Sequence, residues 1–217
     1  MLLRRMQSLL TRLYDAPVEH DAEDFLICDR QRLREVVGES SGPHSDEQVF
    51  VVQEDGTVRI GLFIDQRVLE RLDRNDPLQS LNEDNLGDFC TALEGVSHFH
   101  YLIWSVARSR PVSLLELELQ AEVDKYATAL ALLTEQRDGA FPGGLHAQMF
   151  SSVSYLPELD EASRHRYQEA NRHAARYCRS LDERYLHPRR QQPERWLAEL
   201  RRFFRCGHQE KIRQLAV

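Results

Sequence analysis

Residues 83–108 read EDNLGDFCTALEGVSHFHYLIWSVAR, and they constrain the fold more than any other stretch of the chain. At about 100° per residue Leu86, Phe89, Leu93 and Trp104 share one helical face, while Phe99, Leu102, Ile103 and Val106 fall on others. A helix that is apolar most of the way round must be surrounded by protein. Polar side chains on its second half are therefore expected in places where an unpaired charge costs several kcal/mol or shifts its pKa, as an order of magnitude. Glu94 and His98 are those residues, four positions apart on one face, and His100 points elsewhere. Gly95 costs a helix interior about 1 kcal/mol relative to alanine, so its presence predicts close approach of another backbone.

The next helical pattern, over about 113–137, carries Leu115, Leu119, Tyr126, Ala129, Leu130 and Leu133 on one stripe. Glu122 projects inside that stripe and Glu118 lies at its edge. Glu116 and Asp124 fall on the opposite side and are expected to be solvated. A third helix, over about 158–185, adds His165, Glu169 and His173 as one ridge flanked by arginines.

Carboxylates and imidazoles converging between helices are how bundles hold iron, manganese or zinc. Glu94, His98, Glu118 and Glu122 are the candidate metal ligands. The carboxylate-bridged bundle pattern repeats Glu-x-x-His, whereas this chain has Glu-x-x-x-His. The competing expectation is a structural network in which Glu118 and Glu122 pair with arginines of the basic tail.

Before the central helix the signals are mixed. Phe25–Cys28 suits a short buried strand and 31–37 a short helix. Residues 38–47 read as a polar loop. Gln48–Gln53 and Thr57–Asp65 are strand-like and meet at Asp55-Gly56, where glycine accepts the positive φ of a tight turn. In the second strand Val58, Ile60, Leu62 and Ile64 alternate with Arg59, Gly61 and Phe63, which predicts one face on a core. A helix over about 66–73 follows. Asn82 or Ser80 is the expected cap of the central helix and Ser113 that of the next. The class expected is α+β, mostly α: a small antiparallel hairpin or sheet in the N-terminal third, then a helical bundle around one buried helix. Residues 1–80 form the α/β part and 81–217 the bundle, as one integrated domain. A chain of 217 residues, 41% apolar and 29% charged, can bury a core of that kind.

The net charge of −7 hides a division. Residues 1–14 hold three arginines and no acid, 15–162 hold 11 basic and 29 acidic residues, and 163–217 hold 14 basic and 6 acidic residues. The first segment is an amphipathic helix with Leu3, Met6, Leu10 and Leu13 at helical spacing. Arg12 interrupts it before a signal-peptide core forms, and no stretch reaches the roughly eighteen apolar residues of a membrane span. A final helix, over about 193–215, places Trp196, Leu197, Leu200, Phe203 and Phe204 on a stripe beside Arg201, Arg202 and Arg205. Core docking and a helix that binds a partner's groove are the two readings of that stripe. Its candidate partner-binding residues are Trp196, Arg201, Arg202, Phe204 and Arg205. Four widely spaced cysteines without CxxC read as reduced thiols, and Cys90 as an inert one, in a cytoplasmic protein.

The chain has no GxSxG, Walker loop, GxGxxG or HExxH, so no motif names a reaction. The leading expectation is a cytoplasmic, non-enzymatic adaptor or regulator, with an acidic body and an Arg-rich helical tail that meets a protein partner or a second copy. A metal-binding bundle, with oxidoreductase chemistry as an option, is the alternative. Nucleic-acid association through 189–213 is a further one.

Overall fold

The computed structural model describes residues 2–38, 45–54, 57–151, 153, 155, 157, 159–186 and 192–215. Most of the expected 38–47 loop, the Asp55-Gly56 bend, His187-Pro188 and the arginines at 189 and 190 lie outside them, as does the side chain of Val58.

Helix α1 (Leu2–Tyr14) leads through a 3-10 turn, Ala22–Phe25, into strand β1 (Leu26–Ile27). Helix α2 (Arg30–Val37) follows, then strands β2 (Glu47–Glu54) and β3 (Thr57–Ile64) and helix α3 (Gln66–Arg74). The bundle comprises α4 (Glu83–Val106), α5 (Leu114–Gln136), α6 (Leu145–Phe150) and α7 (Glu161–Leu181). A π turn over Asp182–Leu186 extends α7, and α8 (Pro193–Arg205) and α9 (His208–Leu215) follow. The chain is thus mostly α with one small sheet.

Local chemistry sets the helix starts. Asn82 accepts from the Asp84 N–H, and Asn85 reaches back to the Asn82 N–H, a reciprocal cap on α4. The Ser113 hydroxyl accepts from the Glu116 N–H and starts α5. The expected single helix over 193–215 is instead two, because Cys206 adopts an extended conformation at the end of α8 and Gly207 follows it. The break turns α9 so that Lys211 enters the core at 0% exposure.

The sheet order is β1-β3-β2. Strands β2 and β3 pair antiparallel from Glu47↔Ile64 to Glu54↔Thr57, as the hairpin pattern predicts. Strand β1 joins β3 in parallel, Leu26↔Leu62 and Ile27↔Phe63, so the sheet is mixed rather than wholly antiparallel. The physical reason is the connection: α2 carries the chain away after β1, and a parallel neighbour needs such a crossover.

Helix α4 packs against α1, α3, α5 and the sheet. Leu62 and Ile64 from β3 are fully buried in one core with Phe89, Leu93, Val96 and Phe99 from α4. Phe63, on the other face of β3, is equally buried, so the strand's alternation does not mark a solvent face there. The Arg30 guanidinium lies 5.4 Å from its ring centroid. Gly95 is where α4 and the sheet meet. A Cβ there would lie 2.8 Å from Leu62 Cδ1 and 3.1 Å from Glu47 Oε2, so what approaches the helix is side chains of the two strands rather than another backbone.

Candidate metal centre

The i to i+4 spacing on α4 sets Glu94 and His98 on one face, and α5 brings Glu118 to meet them. One ligand atom from each of Glu94, His98 and Glu118 lies within 4.8 Å of the others, the one such group among the described residues. His98 Nε2 is 3.4 Å from Glu118 Oε2, and His98 Nδ1 is 3.8 Å from Glu47 Oε2. The side chains of His98, Glu118 and Glu47 are only 7%, 8% and 12% exposed. His98 Nε2 and Glu47 Oε2 have no hydrogen-bond partner, although both are buried. Orphaned polar atoms in a site this enclosed call for an explanation, because each normally costs a few kcal/mol.

Glu122 is set apart. Lys125 Nζ donates to Glu122 Oε1 at 2.8 Å and to Glu94 Oε2 at 2.7 Å. Burial raises the Glu122 pKa even against the pull of Lys125, while at Glu94 the charges of Lys125 and His98 outweigh burial and lower it. Burial pulls the Lys125 ammonium down, but the two glutamates overcome it and its pKa ends well above the usual value. Arg166 from α7, within the basic 163–217 segment, sits 3.7 Å from Glu118 Oε1, as the structural-network expectation has it, whereas Glu122 pairs with Lys125 and not with an arginine. At His98, burial favours the neutral ring, but Glu118 and Glu47 outweigh it and hold the proton on.

The cluster therefore gathers four carboxylates, Glu47, Glu94, Glu118 and Glu122, against two permanent cations, Lys125 and Arg166. With all four ionised two negative charges remain, and burial works against that full ionisation by raising the pKa of Glu47 and of Glu122. A protonated His98 cancels one of them, whereas a divalent ion with neutral His98 cancels both. The 3.4 Å spacing of His98 Nε2 and Glu118 Oε2 is too long for a good hydrogen bond.

Three members of this set escape the sequence pattern. Glu47 stands at the first position of β2, where no periodicity marks it. Lys125 and Arg166 carry the charge type of a solvated face. The only signal for Glu47 is Gly95, whose missing Cβ leaves the space that the carboxylate uses. The ridge on α7 is not part of the cluster: the His165 side chain is 73% exposed, and Glu169 faces it at 3.8 Å.

A second buried network corrects the helical-wheel reading of α5. Glu116 and Asp124 are each 1% exposed rather than solvated. Asp124 accepts from Tyr14 at 2.5 Å, Ser97 at 2.5 Å and Gln120 at 2.6 Å. Glu116 accepts from Tyr101 at 2.7 Å and Arg110 at 2.6 Å. The wheel fails because α5 touches α1, α4, α7 and α9, which leaves it no broad outer face. Leu117 and Val123, apolar and off the main stripe, are the signal for this. His100 is also buried, and loss of solvent lowers its pKa to about 4, so it is neutral.

The C-terminal stripe faces inward. Phe204 is fully buried, stacked on Tyr14 at 4.3 Å between centroids and edge-on to Trp104 at 4.9 Å. Trp196 is 7% exposed. Arg201 donates to the carbonyls of Leu13 and Arg12, and Arg205 donates to that of Asp15, each at 3.0 Å. These carbonyls end α1 and lack helical partners of their own. Arg202 pairs with Glu199 on its own helix and reaches Gln214.

The fold and this cluster define a mostly helical α+β protein with a buried carboxylate–imidazole centre between sheet and bundle. No family model, curated protein or solved structure matches the chain. No helix among the described residues is long and apolar enough to cross a membrane.

Proposed function

We propose that the protein binds a divalent transition metal through Glu94, His98 and Glu118, with Glu47 as the outer partner of His98 on its Nδ1 side. The observation that carries this reading is the pair of orphaned atoms, His98 Nε2 and Glu47 Oε2, inside a cluster with surplus negative charge. Oxygen donors with one imidazole and no thiolate suit manganese, iron or zinc. Lys125 and Arg166 then act as outer partners that orient Glu94 and Glu118. Glu122 is assigned to Lys125 rather than to the metal. The reading commits to binding and assigns no residue to a reaction step. Four free cysteines support a cytoplasmic location.

Partner binding through Trp196, Arg201, Arg202, Phe204 and Arg205 has less support from the geometry. The aromatic members are buried in the chain's own core, and Arg201 and Arg205 hold the end of α1. Nucleic-acid binding through 189–213 meets the same engagement of these arginines.

Elemental analysis of protein purified from metal-replete cells, and again after reconstitution with Mn(II), Fe(II) or Zn(II), tests the proposal. About one ion per chain is expected, lost in His98→Ala and in Glu118→Gln and retained in His165→Ala. Less than a tenth of an ion per chain after reconstitution removes it.

A further inference from the structure

A cleft of about 650 Å³ opens between α1, α5, α8 and the 139–141 turn, on residues separate from the carboxylate cluster. Its walls are apolar: Leu13 from α1, Leu130 and Ala131 from α5, Phe141, and Trp196 and Leu197 from α8. Phe141 is 40% exposed there, beside the left-handed turn at Gly139, where φ is +88°. Thr128 also lines the cleft at 2% exposure, with its hydroxyl oxygen turned away from the open space. Two side chains of opposite charge, Arg12 and Glu135, stand among the lining residues, both exposed, and they are not paired with each other or with any other described residue.

This is the build of a ligand site: concave, mostly apolar, of ordinary ligand-pocket volume, with few polar groups. A purely apolar ligand leaves both charged side chains at the rim without a partner. An anionic amphiphile meets Arg12 but is repelled by Glu135, and a cationic one meets the reverse. From the volume, the apolar walls and the two unpaired charges, we propose that the cleft binds a single-chain acyl amphiphile with a zwitterionic head group. The acyl chain fills the space between Leu13, Ala131 and Leu197. The anionic and cationic parts of the head meet Arg12 and Glu135.

The test is calorimetric titration with decanoyl-lysophosphatidylcholine, held below its micellar concentration, followed in parallel by tryptophan fluorescence. One saturable site is expected, with binding at least tenfold tighter than that of decanoate or decyltrimethylammonium. Ala131→Phe fills the cleft from an exposed helix position and lowers affinity at least tenfold with an unchanged melting temperature. Arg12→Gln shifts preference towards the cationic probe, and Glu135→Gln shifts it towards decanoate. No saturable binding, binding of many molecules per chain, or affinity unchanged in Ala131→Phe overturns the proposal. So does a dimer in light scattering that Ala131→Phe dissociates, because the cleft is then occupied by a second copy.

Discussion

Lys211, from the last helix, donates a hydrogen bond to the Tyr101 hydroxyl at 2.7 Å inside the core, with no solvent exposure of its own. It also donates to Gln120 Oε1 at 2.5 Å, and the Tyr101 and Phe203 rings lie 4.3 and 4.9 Å from the ammonium. Among the described residues no carboxylate forms an ion pair with it. Glu116 and Asp124 act from a distance, on the far sides of Tyr101 and Gln120. The lysine therefore ties α9 to α4 and α5 through neutral groups.

That arrangement has a consequence for stability against pH. Burial lowers the Lys211 pKa to about 7, from an ordinary value of 10.5. Between those values the unfolded chain holds the proton more tightly than the folded one, so stability rises with pH across the window. The gain is on the order of a few kcal/mol. Tyrosines and cysteines raised by burial oppose it above about pH 9, so the comparison is made against Lys211→Met. Urea unfolding from pH 7 to 9 is expected to show a rise in the native protein that this variant lacks. Parallel curves for the two proteins contradict the assignment.

Asp124 moves the other way at lower pH. Burial raises its pKa to about 6, against the hydrogen bonds from Ser97, Tyr14 and Gln120. The folded state then holds its proton more tightly between about pH 4 and 6, and stability falls as pH rises through that range. Asp124→Asn is expected to flatten that segment of the stability profile, measured by the same urea titration.

Gly95→Ala tests the contact between helix and sheet. Helix propensity favours alanine by about 1 kcal/mol. The added methyl meets Leu62 Cδ1 at 2.8 Å and Glu47 Oε2 at 3.1 Å, and such overpacking costs roughly 1–3 kcal/mol. A net loss of about 1 kcal/mol is expected in the urea midpoint. Displacement of Glu47 from His98 is expected to weaken metal binding at the same time. A gain in stability indicates that the strand side chains yield freely.

The last helix gives a clear contrast. Phe204→Ala removes a fully buried ring between Tyr14 and Trp104 and is expected to cost about 3–5 kcal/mol by thermal or chemical unfolding. Arg202→Ala removes a half-exposed pair with Glu199 and is expected to change stability by less than about 1 kcal/mol. A mild effect at Phe204 indicates that the stripe is not held in the core.

Thiol reactivity reports the same core. Burial pushes the Cys90 thiol up to about 12 and raises Cys178 well above its usual range. Both are expected to resist iodoacetamide at pH 7.5 in the native protein and to react in urea, as read by peptide mass spectrometry. Rapid native labelling of Cys178 implies that α7 opens locally.

By itself the sequence determined the long helices up to α7, because a 3.6-residue period and the caps at Asn82 and Ser113 are local properties, but not the break between α8 and α9. It also determined that β2 and β3 pair as a hairpin, and that Glu94 and His98 share a face of a buried helix. Tertiary structure decided everything that depends on which faces are covered. Helix α5 is enclosed by α1, α4, α7 and α9, so Glu116 and Asp124, solvated on a wheel with one apolar stripe, lie in the core. Glu47 reaches His98 from a strand some fifty residues away, and Lys125 draws Glu122 aside. Long-range proximity leaves no period in a sequence, since it is set by the sum of packing contacts rather than by any one helix. For that reason the buried helix of residues 83–106 was legible as a constraint, while the composition of the carboxylate–imidazole cluster beside it was not.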